Sequence, residues 1–452
     1  MVGIRPRRGR TTSALVATLL ALTMVAAACG NSEGTSKPDD TKGTTATSAG
    51  EKVANSSPGV TDTEIRVGGV AAVTNPLGGR YGDSFKGVKA YFDMVNADGG
   101  VFGRKLVLAQ ERDDKLSNNK AEVEALIADP GIFAVLPVAT PLFSGADALA
   151  ASGIPTFGWT INPEWEGTPE NKKLNLFGQT GSFMCMGCTS PGVPWVAHKL
   201  GKKKIGVLGY SVPQAVKCAD GYAKSFDEFG PSDGPKVVFE DTAINYGVTD
   251  LSVQVRKMKD AGVDMVVTCM DSNGVVTLAK EQAQQELKAI NFLVNGYDHD
   301  FVKEFGDLFE GSVVRTDFVT WETPEKDQPK GLKDFLGWMD KAGAEPTENA
   351  MVGWINAATF VNGLRNAGPG FDRQKVVDAV NSTTDFTADG IIRPVKWPNQ
   401  HYERVPGKLC DVLSTIRDSK FVPDFGTPSK PFNCIDATDP RNLVQSNLAA
   451  DG

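Results

Sequence analysis

Short apolar runs alternate with segments whose apolar residues recur every three or four positions. Ile65-Arg66-Val67-Gly68-Gly69-Val70 reads as a strand, and Asp83 to Asn96 carries a helical stripe at Phe85, Val88, Tyr91, Phe92 and Val95 that Gly99-Gly100 stops. The same reading gives strands at 105–109, 132–136 and 154–157, with helices at 118–128 and 144–151. A second series follows: a helix at 193–200, then strands at 204–209, 236–239, 264–268 and 290–294 separated by helices at 214–229, 249–261 and 273–287. Strands alternating with helices of this length predict βαβ units and parallel sheets, here two doubly wound α/β lobes. Helices dominate from Gly331 to Asn381, and the chain from Gly390 onward is expected to be rich in turns.

Open parallel sheets bind ligands beyond the carboxyl ends of their strands. The segments there begin at Val73-Thr74-Asn75, Pro137-Val138-Ala139-Thr140, Gly158-Trp159-Thr160, Tyr210 to Gln214, Met270-Asp271-Ser272 and Gly296-Tyr297-Asp298. They hold hydroxyls, amides, aromatics and two acids, which suits an aromatic-walled binding cleft with a few oriented hydrogen bonds. Asp271 and Asp298 also suit the N-caps of the helices that follow them, and Thr74-Asn75 could simply lead into the helix at Asp83. Asp113-Asp114 reads as a surface turn rather than a catalytic pair, because adjacent side chains of an extended chain point apart.

The first residues predict export. Arg5, Arg7, Arg8 and Arg10 precede an apolar stretch from Ala14 to Ala28, shorter than the ~20 residues a spanning helix needs. Ala26-Ala27-Ala28-Cys29-Gly30 resembles a bacterial lipobox, which implies removal of residues 1–28 and a lipid on Cys29, with palmitate among its acyl chains. Either the general or the twin-arginine route would fit the pair Arg7-Arg8. Residues 29–59 lack aromatics and should form a flexible tether.

Net charge is −8, from 47 Lys and Arg against 55 Asp and Glu. That disfavours wrapping nucleic acid, which needs clustered cations, and no nucleic-acid partner is expected. The three histidines, His198, His299 and His401, lie far apart, so no metal site and no cofactor are expected. Without a G-x-S-x-G elbow the chain is not expected to be an enzyme, although an exported hydrolase is the competing reading. Six of the seven cysteines remain beyond Cys29, and an even number in an exported chain favours disulfides. Cys410 and Cys434 are expected to pair, and Cys218 to bond Cys185 or Cys188, leaving Cys269 unassigned; spacing alone does not fix the connectivity.

Gly59-Val60-Thr61-Asp62-Thr63-Glu64-Ile65-Arg66-Val67-Gly68 resembles the opening of ABC-importer solute-binding proteins of the branched-chain amino acid (Leu/Ile/Val) type. So do the string from Gly87 through Ala90-Tyr91-Phe92-Asp93 and Gly99-Gly100-Val101 to Gly103-Arg104-Lys105, and Leu200 to Val207. The resemblance implies a type I periplasmic-binding fold: two lobes, a three-crossover hinge near 178–183, 314–319 and 384–392, and closure on a ligand. It places lobe I at 60–181 plus 317–386, lobe II at 182–316 plus 387–430, and a tail at 431–452. It implies a lipid-anchored, extracytoplasmic monomer that touches the membrane only through its lipid. Such a protein captures a small polar solute, an amino acid or a related amide or amine, for an ABC permease and its ATPase; a sensor feeding a membrane signalling protein would use the same cleft.

The family's carboxylate-holding hydroxyl aligns with Ala139, with Thr140 beside it, and Trp159 and Ile161 stand where a small residue and a Thr are usual. Asp298 matches in type the acid that faces a ligand ammonium, and the aromatic of the second lobe aligns with Gln214, close to Tyr210. The ligand-binding set expected is therefore Thr74, Asn75, Ala139, Thr140, Trp159, Thr160, Tyr210, Gln214, Asp271, Tyr297 and Asp298. Its departures from the amino-acid pattern imply a different or bulkier solute, cationic or amide-bearing, with Trp159 as a wall.

Overall fold

The computed structural model describes residues 53–184, 187–230, 234–403, 409–435 and 443–446. The export segment, Cys29, the tether up to residue 52, Cys185 and most of the expected tail lie outside them. The first sheet is built from β1 (Glu64–Ala71), β2 (Lys105–Asp113), β3 (Ala134–Ala139), β4 (Thr156–Gly158) and β5 (Leu176–Gly178), all parallel, in the order β2-β1-β3-β4-β5. Helices α1 (Asp83–Ala97), α2 (Asn119–Ala128) and α3 (Ala146–Ser152) connect these strands. β3 is buried along its whole length, as an apolar run covered on both faces must be.

The chain then enters the second sheet through α4 (Gly192–Lys199). β6 (Lys204–Tyr210), β7 (Lys236–Ile244), β8 (Met265–Cys269), β9 (Ile290–Leu293) and β10 (Val313–Thr316) run parallel in the order β10-β9-β8-β6-β7. Between them run α5 (Pro213–Phe229), α6 (Ser252–Ala261), α7 (Ser272–Gln284) and α8 (His299–Phe305). After β10 the chain supplies α9 (Lys330–Lys341), α10 (Glu348–Ala367) and α11 (Arg373–Asn381), and α10 packs on α1, β3 and β4 of the first lobe. Two α/β lobes with three passages between them match the expected fold class.

The C-terminal region corrects the sequence reading. From residue 409 it forms β11 (Leu409–Arg417), β12 (Lys420–Val422), β13 (Phe432–Ile435) and β14 (Leu443–Ser446), an antiparallel extension of the second sheet beyond β10. Pro and turn residues obscured these strands, because an edge extension tolerates such residues at its joints.

The cysteine pairing needs a second correction. Cys218 bonds Cys269, not Cys185 or Cys188. Gly209, which pairs with Cys269 in the β6–β8 register, leaves α5 room to lie against the strand ends. Cys218 on that helix therefore comes within 6.1 Å, Cα to Cα, of Cys269. Cys410 bonds Cys434 across the directly opposed positions of β11 and β13. Cys188 is also disulfide-bonded.

A fully buried histidine gives the fold a pH signature. His401 packs against Phe177 and Trp397, and its Nε2 lies 2.7 Å from Asn381 Oδ1. Burial pulls its pKa down to about 4, below the ~6.5 of an unfolded chain. The neutral ring contributes in full above pH 6.5, and that contribution is lost as the pH falls from 6.5 towards 4. About 3 kcal/mol should disappear over this window. Urea titrations at stepped pH should show the loss, and H401F should flatten that part of the profile.

Candidate ligand-binding cleft

The carboxyl ends of the two parallel sheets face one another across a cleft of about 320 Å³. Its first wall comes from the segment after β1 (Leu77 to Tyr81), Pro141 after β3, and Trp159 and Ile161 after β4. The N-terminus of α10 adds Thr347, Glu348 and Asn349. The opposite wall comes from Tyr210 and Gln214 after β6, Tyr246 after β7, Met270 and Asp271 after β8, and Asn295 to Asp298 after β9. The Cys218–Cys269 disulfide and the Arg315–Asp411 pair also line that side.

Hydrogen bonds join the walls. Arg80 Nη1 donates to Asp300 Oδ2 at 2.6 Å, Asn273 Nδ2 to the Pro76 carbonyl at 2.9 Å, and Gln214 Nε2 to the Pro141 carbonyl at 3.2 Å. These contacts hold the lobes together around the cleft.

The aromatic lining is pinned by local packing. Trp159 is only 7% exposed, with its ring 5.6 Å from Tyr81. Tyr210 lies 4.5 Å from Tyr246, and its hydroxyl reaches over Gly274, where a Cβ would approach it to 2.1 Å. A larger residue at the start of α7 would therefore displace that hydroxyl. Tyr297 is buried, donates to Glu322 Oε2 at 2.6 Å and accepts from the Trp321 amide at 3.2 Å, so it forms a fixed floor.

Charge is distributed unevenly. Arg80 is held by Asp83, Asp300 and Glu345, at 2.8, 2.6 and 3.2 Å. Arg315 is held by Asp317 at 2.6 Å and Asp411 at 2.8 Å. Burial works against the Arg315 charge, but the two carboxylates more than offset it and raise its pKa. The cleft's acids are less completely engaged. Asp271 Oδ1 accepts from the Gly274 amide at 2.9 Å as the cap of α7, while its Oδ2 and the Tyr210 hydroxyl are buried without a well-formed hydrogen bond. Burial raises the Asp271 pKa against the pull of that amide. Burial, with Asp271 behind it, raises Tyr210 and brings Tyr246 to about 12. Asp298 caps α8 by accepting from Asp300 and Phe301 at 2.9 and 3.0 Å. Glu348 opens α10; burial first, then Asp317 and Asp298, push its carboxyl up to about 8.

Of the expected ligand-binding residues, Trp159, Tyr210, Gln214, Asp271, Tyr297 and Asp298 line the cleft. Five others do not line it. Thr74 is exposed, with its amide on Asp113. Asn75 braces its own loop through the carbonyls of Ala72 and Gly79. Ala139 ends β3 inside the core, and Thr140 is buried with its carbonyl accepting from Asn162. The Thr160 hydroxyl donates to the Gly181 carbonyl at 3.1 Å, and the residue borders only a small adjoining recess.

Sequence reading missed Arg80, Tyr81, Tyr246, Glu348 and the Arg315–Asp411 pair. Tyr81 sits in the β1–α1 connection, where an aromatic before a helix start was a usable signal. Glu348 follows no strand, so a search of strand ends passes over it.

Residues 64–403 match the model of the periplasmic binding protein family. Over 337 residues, 71% of this chain and 80% of the other, the chain is 24% identical to Leu/Ile/Val-binding protein homolog 8 of Brucella abortus. Its fold is similar to that of a branched chain amino acid ABC transporter from Thermus thermophilus with bound valine, with a TM-score of 0.66 and 17% identity over 85% of this chain and 98% of that one. It is also similar to a fatty acid ABC transporter substrate-binding protein from Thermomonospora curvata, with a TM-score of 0.65 and 18% identity over 87% and 95% of the two chains.

Proposed function

The chain belongs to the periplasmic binding protein family, and on that premise we propose that it captures a small polar solute between its lobes and delivers it to an ABC permease. The solute is an amino acid or a related amide or amine. The protein works outside the cytoplasm as a monomer tethered by a lipid on Cys29, without catalysis. The lobes are residues 60–181 with 317–386, and 182–316 with 387–430, the latter extended by β13 and β14.

One observation carries this reading: a cleft of about 320 Å³, walled by the strand ends of both lobes and bridged by hydrogen bonds between them. A volume of that order suits a small molecule. Hinge closure supplies the transport logic, because a permease that docks only the closed form accepts the loaded protein.

The experiment is X-ray scattering with and without solute, first with whatever compound native mass spectrometry finds on protein purified from its source. The expected result is a smaller scattering radius on loading. W159A should bind that compound at least ~30-fold more weakly, because a buried aromatic wall is worth about 2 kcal/mol or more at a binding site. A chain that carries nothing and never compacts across amino acids, amides, amines and aromatic acids would count against solute capture.

A further inference from the structure

The cleft has two acidic poles and no free cation among its described residues. At one pole the Tyr210 hydroxyl, on a side chain only 2% exposed, interacts with the Asp271 carboxyl, whose Oδ2 is buried, with Tyr81 and Tyr246 around them. At the other, Glu348 of the first lobe stands opposite Asp298 of the second. Both arginines are already held by carboxylates. The first lobe offers a carboxylate little welcome: the Thr140 hydroxyl accepts from the Leu142 amide, the Thr160 hydroxyl donates to a backbone carbonyl, and neither residue lines the cleft. Trp159 and Tyr81 line the same cleft, and their faces favour alkyl chain and ammonium alike.

We propose that the solute is a small organic diamine without a carboxylate, one ammonium on Asp271 and the Tyr210 hydroxyl, the other between Glu348 and Asp298, its apolar spacer along Trp159. This rests on the cleft being a solute site and names the class it takes. These carboxylates have only neutral hydrogen-bond donors around them, and a charged donor from the ligand would supply the missing counter-charge at each pole. An amino acid would satisfy one pole and leave its own carboxylate facing acids.

Glu348 supplies a readout that a merely structural role would not move. The groups bearing on it are Asp298 and Asp317, with Arg315 beside them, and Tyr81 from its own lobe. Its carboxyl must give up a proton to receive an ammonium, so diamine affinity should rise from pH 6 to pH 8.

The test is calorimetric titration of the full chain with putrescine, cadaverine, butylamine and leucine, alongside scattering. Putrescine or cadaverine should bind at least tenfold more tightly than butylamine, leucine should not compete, and the diamine should compact the protein. D271N keeps an N-cap and E348Q keeps the shape; each should weaken the diamine roughly tenfold to a hundredfold. E348Q should also flatten the rise with pH. Leucine binding more tightly than either diamine, or diamine affinity unchanged in both variants, overturns the proposal. Compaction on a neutral or anionic solute carried from the native source overturns the diamine while leaving solute capture standing. Failure to compact on the native solute and on every probe overturns both.

Discussion

G87A is expected to unfold at a markedly lower temperature and urea concentration than the unaltered protein, by about 3 kcal/mol or more. Gly87 on α1 faces α10 so closely that an added Cβ would stand 1.8 Å from the Ala350 carbonyl oxygen. The contact is reciprocal, since a Cβ at Gly353 on α10 would stand 2.0 Å from the Ser84 carbonyl oxygen. Backbone cannot rotate away as a side chain can, so the helices must separate. Overpacking of a tight core costs ~1–3 kcal/mol even where side chains can yield. α10 is buried from Asn349 through Val361 and forms the spine of the first lobe, so little can relax around it. G337A is the control. Gly337 is exposed on α9 with open space around it, and alanine there should stabilise by about 0.5–1 kcal/mol through helix propensity. Equal effects of the two substitutions in urea melts would refute the packing account.

The second large effect belongs to the disulfide in the cleft wall. C218A/C269A should lose about 4 kcal/mol, because the bond closes a loop with a sequence separation of 51 in the unfolded chain. C410A/C434A, with a separation of 24, should lose about 3.5 kcal/mol on the same reasoning. The pairs should differ more clearly in binding than in stability. Cys218 and Cys269 tie α5 to the end of β8, two residues before Asp271, whereas Cys410 and Cys434 staple the antiparallel extension. Removing the first bond should therefore weaken solute affinity even where the protein stays folded, and removing the second should weaken it less. Calorimetric titration below the unfolding transition distinguishes the two.

Much of the architecture was legible because burial leaves a mark on local pattern. The β3 run, the α1 stripe and the glycines that end it each report their own segment's environment, and their alternation predicts parallel sheets. Asp271 and Asp298 were legible twice over, as helix caps and as cleft acids, since one carboxylate at a strand-to-helix turn does both. The residues that failed were those whose position depends on distant chain. Ala139 and Thr140 stand at the correct strand end, yet the neighbouring strands and Asn162 bury them. Glu348 opens a helix with no strand before it, and only the packing of α10 against α1 carries it to the cleft.

The sequence by itself settled the lobes' strands and helices, the aromatic and acidic character of the strand-end loops, and the family. Periodicity, capping and turn chemistry act over a few residues and need no partner to be read. Tertiary structure alone decided that Cys218 meets Cys269, that the C-terminal strands extend the second sheet, and that both arginines of the cleft are already paired. Each of these joins residues far apart in the chain. The free energy behind each is gained only when the lobes have formed, so nothing local in the sequence records it.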